Sequence, residues 1–377
     1  MYDTSAMLGP ADFDTLRASV RKLMSQFGPE YWAEVDRERA FPAEFFRAAG
    51  AAGFFGTLIP PEFGGEGAGG EAASVIIEEI NRAGGDASVI NAQISICATL
   101  VRAGDATQRA MLPAIARGEL LCLTVAATEP DSGADMSSMQ STAVREGDGW
   151  RIDAKKVLVS FAEHTELMMV LVGTDGGPTV FLLDRREVGD QIEIRPIDMV
   201  TNRMTTMMFI DGLRVPDSAR VGDVGKGLAA LSAGFVHRRV FAAAECIGNA
   251  RFMLDRGLVH ARERHTFGRP IGQNQGVQYP LAQAYAKVEA ADLMRWDALR
   301  AYAAREPNAS DRSALAKTLA SEAAWETARA ALTTFGGWGL ACEYHVERKL
   351  RDNMVYLFNN MLWSHISHHV LKLPHAY

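Results

Sequence analysis

No carboxylate follows Asp352: the last 25 residues of this 377-residue chain hold neither Asp nor Glu. A tail built this way can line a reaction site, but it cannot supply that site with an acidic base. Also missing is any run of 18 or more apolar residues, so no membrane-spanning helix is expected. The first residues, MYDTSAMLGPADFDTLRASV, hold no basic segment followed by an apolar core, and the protein is expected to be cytoplasmic. Cysteine is scarce, and Cys97, Cys122, Cys246 and Cys342 form no CxxC pair; they read as buried free thiols. Clustered Lys and Arg are absent and the formal charge is −7, which argues against nucleic acid and against an anionic membrane surface as partners. In LVHARERHTFGRP, a stretch with several basic residues, Glu263 interrupts the cations, so a nucleotide phosphate fits better than a polymer. There is no HExxH either. His365 and His369 share a helix face and His368 and His375 lie nearby, but with no carboxylate or Cys close in sequence no metal is expected.

What the chain does have is 48% hydrophobic residues, enough for a sizeable core spread over two or three packed domains. Residues 12 to 118 carry apolar positions at three- and four-residue spacing, broken by the loop IPPEFGGEGAGGE. From 121 to about 224 the apolar residues alternate or come in short runs, as in CLTVAAT, WRIDAKKVLVS, ELMMVLVGT and TVFLLD, with EGDG and TDGGP as turns. No helix of ordinary length separates these strands, which disfavours a parallel βαβ sheet and favours a small antiparallel barrel or sandwich. Long helical patterns return at Lys226 and persist, joined by short connectors, as in an antiparallel bundle. The fold class expected is α+β: a helical domain over 1–120, a middle antiparallel β-barrel or sandwich over 121–225, and a four-helix bundle over 226–377. No fixed-period repeat is seen.

Three segments carry chemistry. TEPDSGAD, residues 128–135, follows the strand LTVAA; it reads as a polar turn, or as a hydroxyl and backbone amides holding the polar edge of a flat cofactor. RHTFGRPIGQNQ, residues 264–275, lies between two long helices. There Arg264 could hold a phosphate while Phe267 packs on a neighbour, or the segment is a helix end capped by Gly268. In FGGWGLACEYHVERKLRD, Gly336, Gly337 and Gly339 let backbone approach a ligand, or make a tight turn.

In this order and on an α-β-α background, these segments resemble the acyl-CoA dehydrogenase family over essentially the whole chain. The resemblance implies noncovalent FAD, usually in a tetramer of two-fold dimers. It also implies oxidation of an acyl-CoA thioester to its 2,3-enoyl form, with electrons passing to an electron-transfer flavoprotein. Residue by residue, it places Val125, Ala127 and Thr128 along the flavin and Ser160 near its N5 edge. Arg264 and Phe267 would hold the FAD of a neighbouring subunit, with Gln275 close by and Gly336 and Gly337 against the cofactor. Three positions depart from the family pattern: Ala134 for Ser, Leu158 for Trp and Thr333 for Gln.

The reaction needs a base for the α-proton. Most of the family carries a Glu eight residues after the RD pair, where this chain has Asn360; others carry it on the long helix before RxxFG, at the position of Arg238. Neither side chain can serve. The same long helix holds one acid in an apolar run, Glu245 in AAAECIG, two turns beyond Arg238 and on its face. Burial among such residues would raise its pKa toward a useful range. Glu245 is therefore the candidate base, its bland alternatives being an ion pair with Arg239 or a solvent-facing position. The expected activity is α,β-dehydrogenation of a branched, cyclic or otherwise uncommon acyl-CoA thioester, or of an acyl group on a carrier protein. A base-deficient flavin-binding subunit of a heteromeric dehydrogenase, and a flavoenzyme that reduces an enoyl thioester or reacts with oxygen, stay open. Homotetramer, homodimer and hetero-oligomer are all compatible with the chain.

Overall fold

The structure, a computed structural model, describes residues 10–133 and 138–374. Ala134 and Asp135 of the first segment, and His375, fall outside the described residues. The chain divides into two compact units, one formed by residues up to 38, 68–91 and 236 onward, the other by 39–67 and 92–235.

In the first unit, α1 (Pro10–Met24), α2 (Pro29–Arg37) and the helix α4 (Gly69–Arg82) accompany three long helices: the greater part of α9 (Gly227–Glu263), α10 (Gln275–Ala303) and α11 (Ala309–Phe335). The faces that meet are rich in alanine. Ala243, Ala250, Ala284, Ala291, Ala316, Ala320 and Ala324 are buried with Val240, Leu281 and Val288 in one cluster. Alanine combines the highest helix propensity with a small side chain, so these sequences both form helices and let them pack closely. At Gly248 the approach is tighter still: a Cβ there would lie 2.4 Å from the Glu78 carbonyl oxygen of α4. The expected fourth bundle helix is not continuous. It is α12 (Val346–Met354), a 3₁₀ turn over Val355–Leu357, then α13 (Asn360–His365) and a π turn over Ile366–Val370.

Charge is buried here as well. Glu78, fully enclosed, accepts from Arg295 at 2.8 Å and Arg17 at 3.2 Å and pairs with Arg251; Arg295 also reaches Asp292, and Glu79 holds Arg17 and Arg21. Lys349, buried as well, donates to the Gly85 carbonyl and to Asn249, tying α12 to the end of α4's turn.

The second unit is built on an eight-stranded sheet. Around it come α3 (Ala43–Ala51), the later part of α5 (Ser88–Ala103), α6 (Ala106–Arg109), α7 (Leu112–Ala116) and α8 (Arg185–Val188). The strands are β1 (Cys122–Ala126), β2 (Thr142–Glu146), β3 (Gly149–Ser160), β4 (Leu167–Thr174), β5 (Gly177–Asp184), β6 (Ile192–Pro196), β7 (Thr205–Pro216) and β8 (Arg220–Val221). Their order is β6-β7-β3-β2-β4-β5-β8, with β1 beside β4. The sheet is open among the described residues, so the expected barrel is not closed, and two of its pairings, β1 with β4 and β2 with β4, are parallel. Alternation of apolar residues reports which face is buried and carries no information on strand direction, hence the difference. Strand β4 is buried on both faces. Leu167, Met169 and Leu171 join Ile96, Leu100 and Ile115 in one core, while Met168, Val170 and Val172 join Trp150, Ile152 and Met208 in the other. Hence its sequence reads as an unbroken apolar run.

Cys97, Cys122 and Cys246 are buried free thiols, whereas Cys342 is exposed, contrary to expectation. No helix of the described residues is long and apolar enough to cross a membrane.

Candidate active site

Glu245 is 2% exposed, on the part of α9 that belongs to the helical unit. An ionised carboxylate in such a place must be hydrogen-bonded. Its Oε2 accepts from the Tyr356 hydroxyl at 2.7 Å and its Oε1 from Asn91 Nδ2 at 3.3 Å. Asn91 comes from the first turn of α5 and Tyr356 from the 3₁₀ turn after α12, so two segments remote in sequence converge on the acid. A solvent-facing Glu245 is thereby ruled out. Arg239, offered by the sequence as an ion-pair partner, donates to Ser310 Oγ at 3.2 Å, and burial lowers its pKa despite the attraction of Asp311. Arg238 and Asn360, at the two positions where the family resemblance puts a carboxylate, are both exposed. Nearby on α9, His237 is buried edge-on to Tyr302, ring centroids 4.4 Å apart.

A second cation faces this region. Lys317 of α11 donates to the Tyr356 carbonyl oxygen at 2.6 Å and to Asn359 Oδ1. Burial lowers its pKa, against the opposing pull of Cys246 and Glu245. His365 Nε2 lies 2.7 Å from Asp311 Oδ1, a carboxylate that the local sequence did not place beside it, and the His369 ring is tilted against it at 4.7 Å between centroids.

The flavin-edge residues expected from the resemblance lie in the sheet unit. Val125, Ala127, Thr128 and Ser160 are half-buried, Val125 and Ala127 resting partly on the core that holds Ile96 and Leu100. Ser160 stands between two residues of positive φ, Leu158 at 55° and Phe161 at 63°, next to an irregularity in the β3–β7 register between Lys156 and Val159. Such geometry is uncommon outside glycine and re-aims a strand's side chains. Thr124 Oγ1 donates to the Ser160 carbonyl at 2.9 Å, holding β1 to this bulged end. Glu129, the acid of TEP, turns out to be structural. It is 4% exposed, accepts from the fully buried Lys156 ammonium at 2.7 Å and from the backbone N–H of Gln140 and Ser141, and so pins the loop. Burial would raise its pKa, but these donors hold it below the ordinary carboxylate value. Sequence reading missed this pair, although a lysine at a core-facing position of an alternating strand is the signal that could have found it.

RHTFGRP is neither a helix cap nor an irregular turn. Helix α9 ends at Glu263, and His265–Thr266 and Arg269–Pro270 pair as a small hairpin, β9 and β10, with Phe267 and Gly268 both at positive φ, 51° and 78°. That is the two-residue hairpin geometry in which both central residues are left-handed. It holds Phe267 out from the surface, fully exposed, with Arg264 and Gln275 exposed nearby in sequence. Gly336 ends α11 at φ 61° and ψ −139°, a region open essentially to glycine alone. A Cβ at Gly336 or Gly337 would meet nothing within 4 Å, so the backbone there presents an open face on which a flat ligand can lie. Exposed aromatic, guanidinium and bare backbone suit a dinucleotide gripped from outside the chain.

Family models describe the same chain in three parts: the acyl-CoA dehydrogenase N-terminal domain over 10–119, middle domain over 124–211 and C-terminal domain over 225–359. The glutaryl-CoA dehydrogenase of Desulfococcus multivorans is 32% identical over 358 residues, 92% of each chain. Acyl-CoA dehydrogenase FadE12 of Mycobacterium tuberculosis is 29% identical over the full length of both. Among solved structures, a glutaryl-coenzyme A dehydrogenase in complex with glutaryl-CoA superposes with a TM-score of 0.90 at 30% identity, covering 99% of this chain and 98% of that one.

Proposed function

Because this chain belongs to the acyl-CoA dehydrogenase family, FAD-dependent oxidoreductases acting on CH–CH bonds, we propose that it oxidises an acyl thioester between Cα and Cβ with Glu245 as the base. The observation that carries the reading is the Glu245 carboxylate, buried on the bundle helix α9 and held there by the Tyr356 hydroxyl and the Asn91 amide. In that setting the carboxyl group is kept away from water yet hydrogen-bonded, which fixes where its oxygens lie for taking a proton from carbon. Bound FAD supplies the hydride acceptor for the electron pair leaving Cβ. Glu245 takes the α-proton, and Tyr356 and Asn91 fix the direction its oxygens face. The substrate is an acyl-CoA of branched, cyclic or otherwise uncommon shape, or its carrier-bound counterpart. Electron-transfer flavoprotein is the acceptor, the setting is cytoplasmic, and the chain works as a dimer or tetramer. The division at 1–120, 121–225 and 226–377 belongs to the same reading.

A second reading keeps the flavin and drops the chemistry: a base-deficient subunit in a hetero-oligomer. It is favoured by one observation, the exposed Arg238 and Asn360 at the two positions where the family resemblance implies a glutamate. Exchange of the α-hydrogen of an acyl-CoA into D₂O, followed by mass spectrometry, separates the two. Exchange by the wild type and none by Glu245→Gln supports the base; none by either supports the subunit.

On the cofactor side, Arg264, Phe267, Gln275, Gly336 and Gly337 would hold the pyrophosphate and adenosine, and Val125, Ala127, Thr128 and Ser160 the isoalloxazine. Replacing Arg264 with Ala removes a charge-assisted phosphate contact, so the FAD dissociation constant is expected to rise about 10- to 100-fold. An unchanged constant in a flavin-fluorescence titration would remove Arg264 from the site.

A further inference from the structure

Between Val355 and Trp363 the acid-free tail holds two amides and a tyrosine among apolar residues, and the structure gives each a different task. Asn360 faces solvent. Asn359, 3% exposed, accepts from Lys317 Nζ and donates through Nδ2 to Ser321 Oγ at 2.8 Å, one turn further along α11. Lys317 also takes the Tyr356 carbonyl oxygen at 2.6 Å, and the hydroxyl at the other end of that residue donates to Glu245 at 2.7 Å. The turn that carries Tyr356 is thus fixed to α11 at two points, and its ring spans from this anchor to the carboxylate on α9. Tyrosine suits such a strut, because a rigid ring with two torsions transmits position with little loss of freedom.

We propose that Tyr356 is the positioning residue for Glu245 and that Lys317 sets Tyr356 in place, so that the tail lacking the family's carboxylate instead aims the one on α9. The proposal rests on Glu245 being the base. The Tyr356 phenol donates to Glu245, and the Lys317 ammonium lies near enough to interact with both Glu245 and Cys246, the next residue on α9; Asn91 from α5 is neutral. A hydroxyl donor and a nearby cation both favour the ionised carboxylate. Removing either therefore moves the ionisation of the base upward and costs rate on the acid side.

The test is the pH profile of anaerobic flavin bleaching in the FAD-loaded protein under an acyl-CoA that reduces the wild type. Tyr356→Phe keeps the ring and removes the hydroxyl. Its acid limb is expected to shift up by about one pH unit, with an about tenfold lower rate at a given pH below that limb, an unchanged KM and unchanged FAD content. Lys317→Met is expected to shift in the same direction, and Lys317→Arg to restore most of the wild-type profile, a rescue that a merely structural lysine would not display in the pH dependence. Should Tyr356→Phe shed FAD, the Lys317→Met and Lys317→Arg pair decides alone. Profiles superimposable on wild type, with Glu245→Gln inactive, overturn the positioning role and leave the base in place. A Glu245→Gln protein that bleaches at the wild-type rate overturns both.

Discussion

Glu245→Gln is expected to slow anaerobic flavin reduction by about 10³-fold, the typical contribution of a positioned general base, while FAD stays bound and the fold is kept. The substitution is nearly isosteric. A glutamine carbonyl oxygen can still accept from Tyr356, and the amide can turn toward the Asn91 side chain, whose own carbonyl is able to accept in turn. The packing of α9 through Ala244, Cys246 and Ile247 is untouched. Only the capacity to bind a proton is lost, so the effect belongs in the rate and not in FAD content. Stopped-flow absorbance at the flavin band measures it, and a variant within about threefold of wild type would remove Glu245 from the chemistry.

The second large effect is on stability. Removing the charge of Glu78 leaves Arg295 fully buried and strips a partner from Arg251 and Arg17, and breaking one side of a buried ion pair costs about 3–5 kcal/mol. Glu78→Gln is expected to unfold in urea at a correspondingly lower midpoint. The same node sets the acid limit. Burial alone would raise the Glu78 pKa, but Arg295, Arg251 and Arg17 outweigh it and bring the carboxyl from 4.5 down to about 2. Below pH 4.5 the unfolded chain takes up the proton before the folded one does, so this contribution is whole above 4.5 and fades as pH falls toward 2. Its size is about 3 kcal/mol. Urea unfolding as a function of pH reads both effects: Glu78→Gln should flatten the wild-type decline over that window, and an equal decline in both proteins would place the acid sensitivity elsewhere.

The sequence made α4, α9, α10 and α11 legible because their apolar residues recur at helical spacing over many turns, and β4 and β5 because apolar runs bounded by turns are short. Strand direction was not legible, since β1 meets β4 through a pairing that alternation does not encode. The tail was read as one helix although its pattern is interrupted after Met354, where Val355 to Leu357 turn to bring Tyr356 inward. Glu245 could be found because an acid inside AAAECIG breaks an apolar face. Its partners could not, because Asn91 lies 154 residues away and Tyr356 111, and a hydrogen bond across such separations leaves no local trace. The Phe267 hairpin was hidden for a different reason. A left-handed Phe is a rare way to make the first half of a two-residue turn, so the adjacent Gly268 was more readily taken as the end of a helix.

With FAD and no other protein, this one chain is expected to withdraw a proton and a hydride from an acyl thioester. Anaerobic bleaching of the purified, FAD-loaded protein by a panel of acyl-CoA thioesters that includes branched, cyclic and glutaryl members tests this. At least one of them is expected to reduce the flavin stoichiometrically within seconds. Fully bound FAD that no thioester in the panel reduces would contradict it.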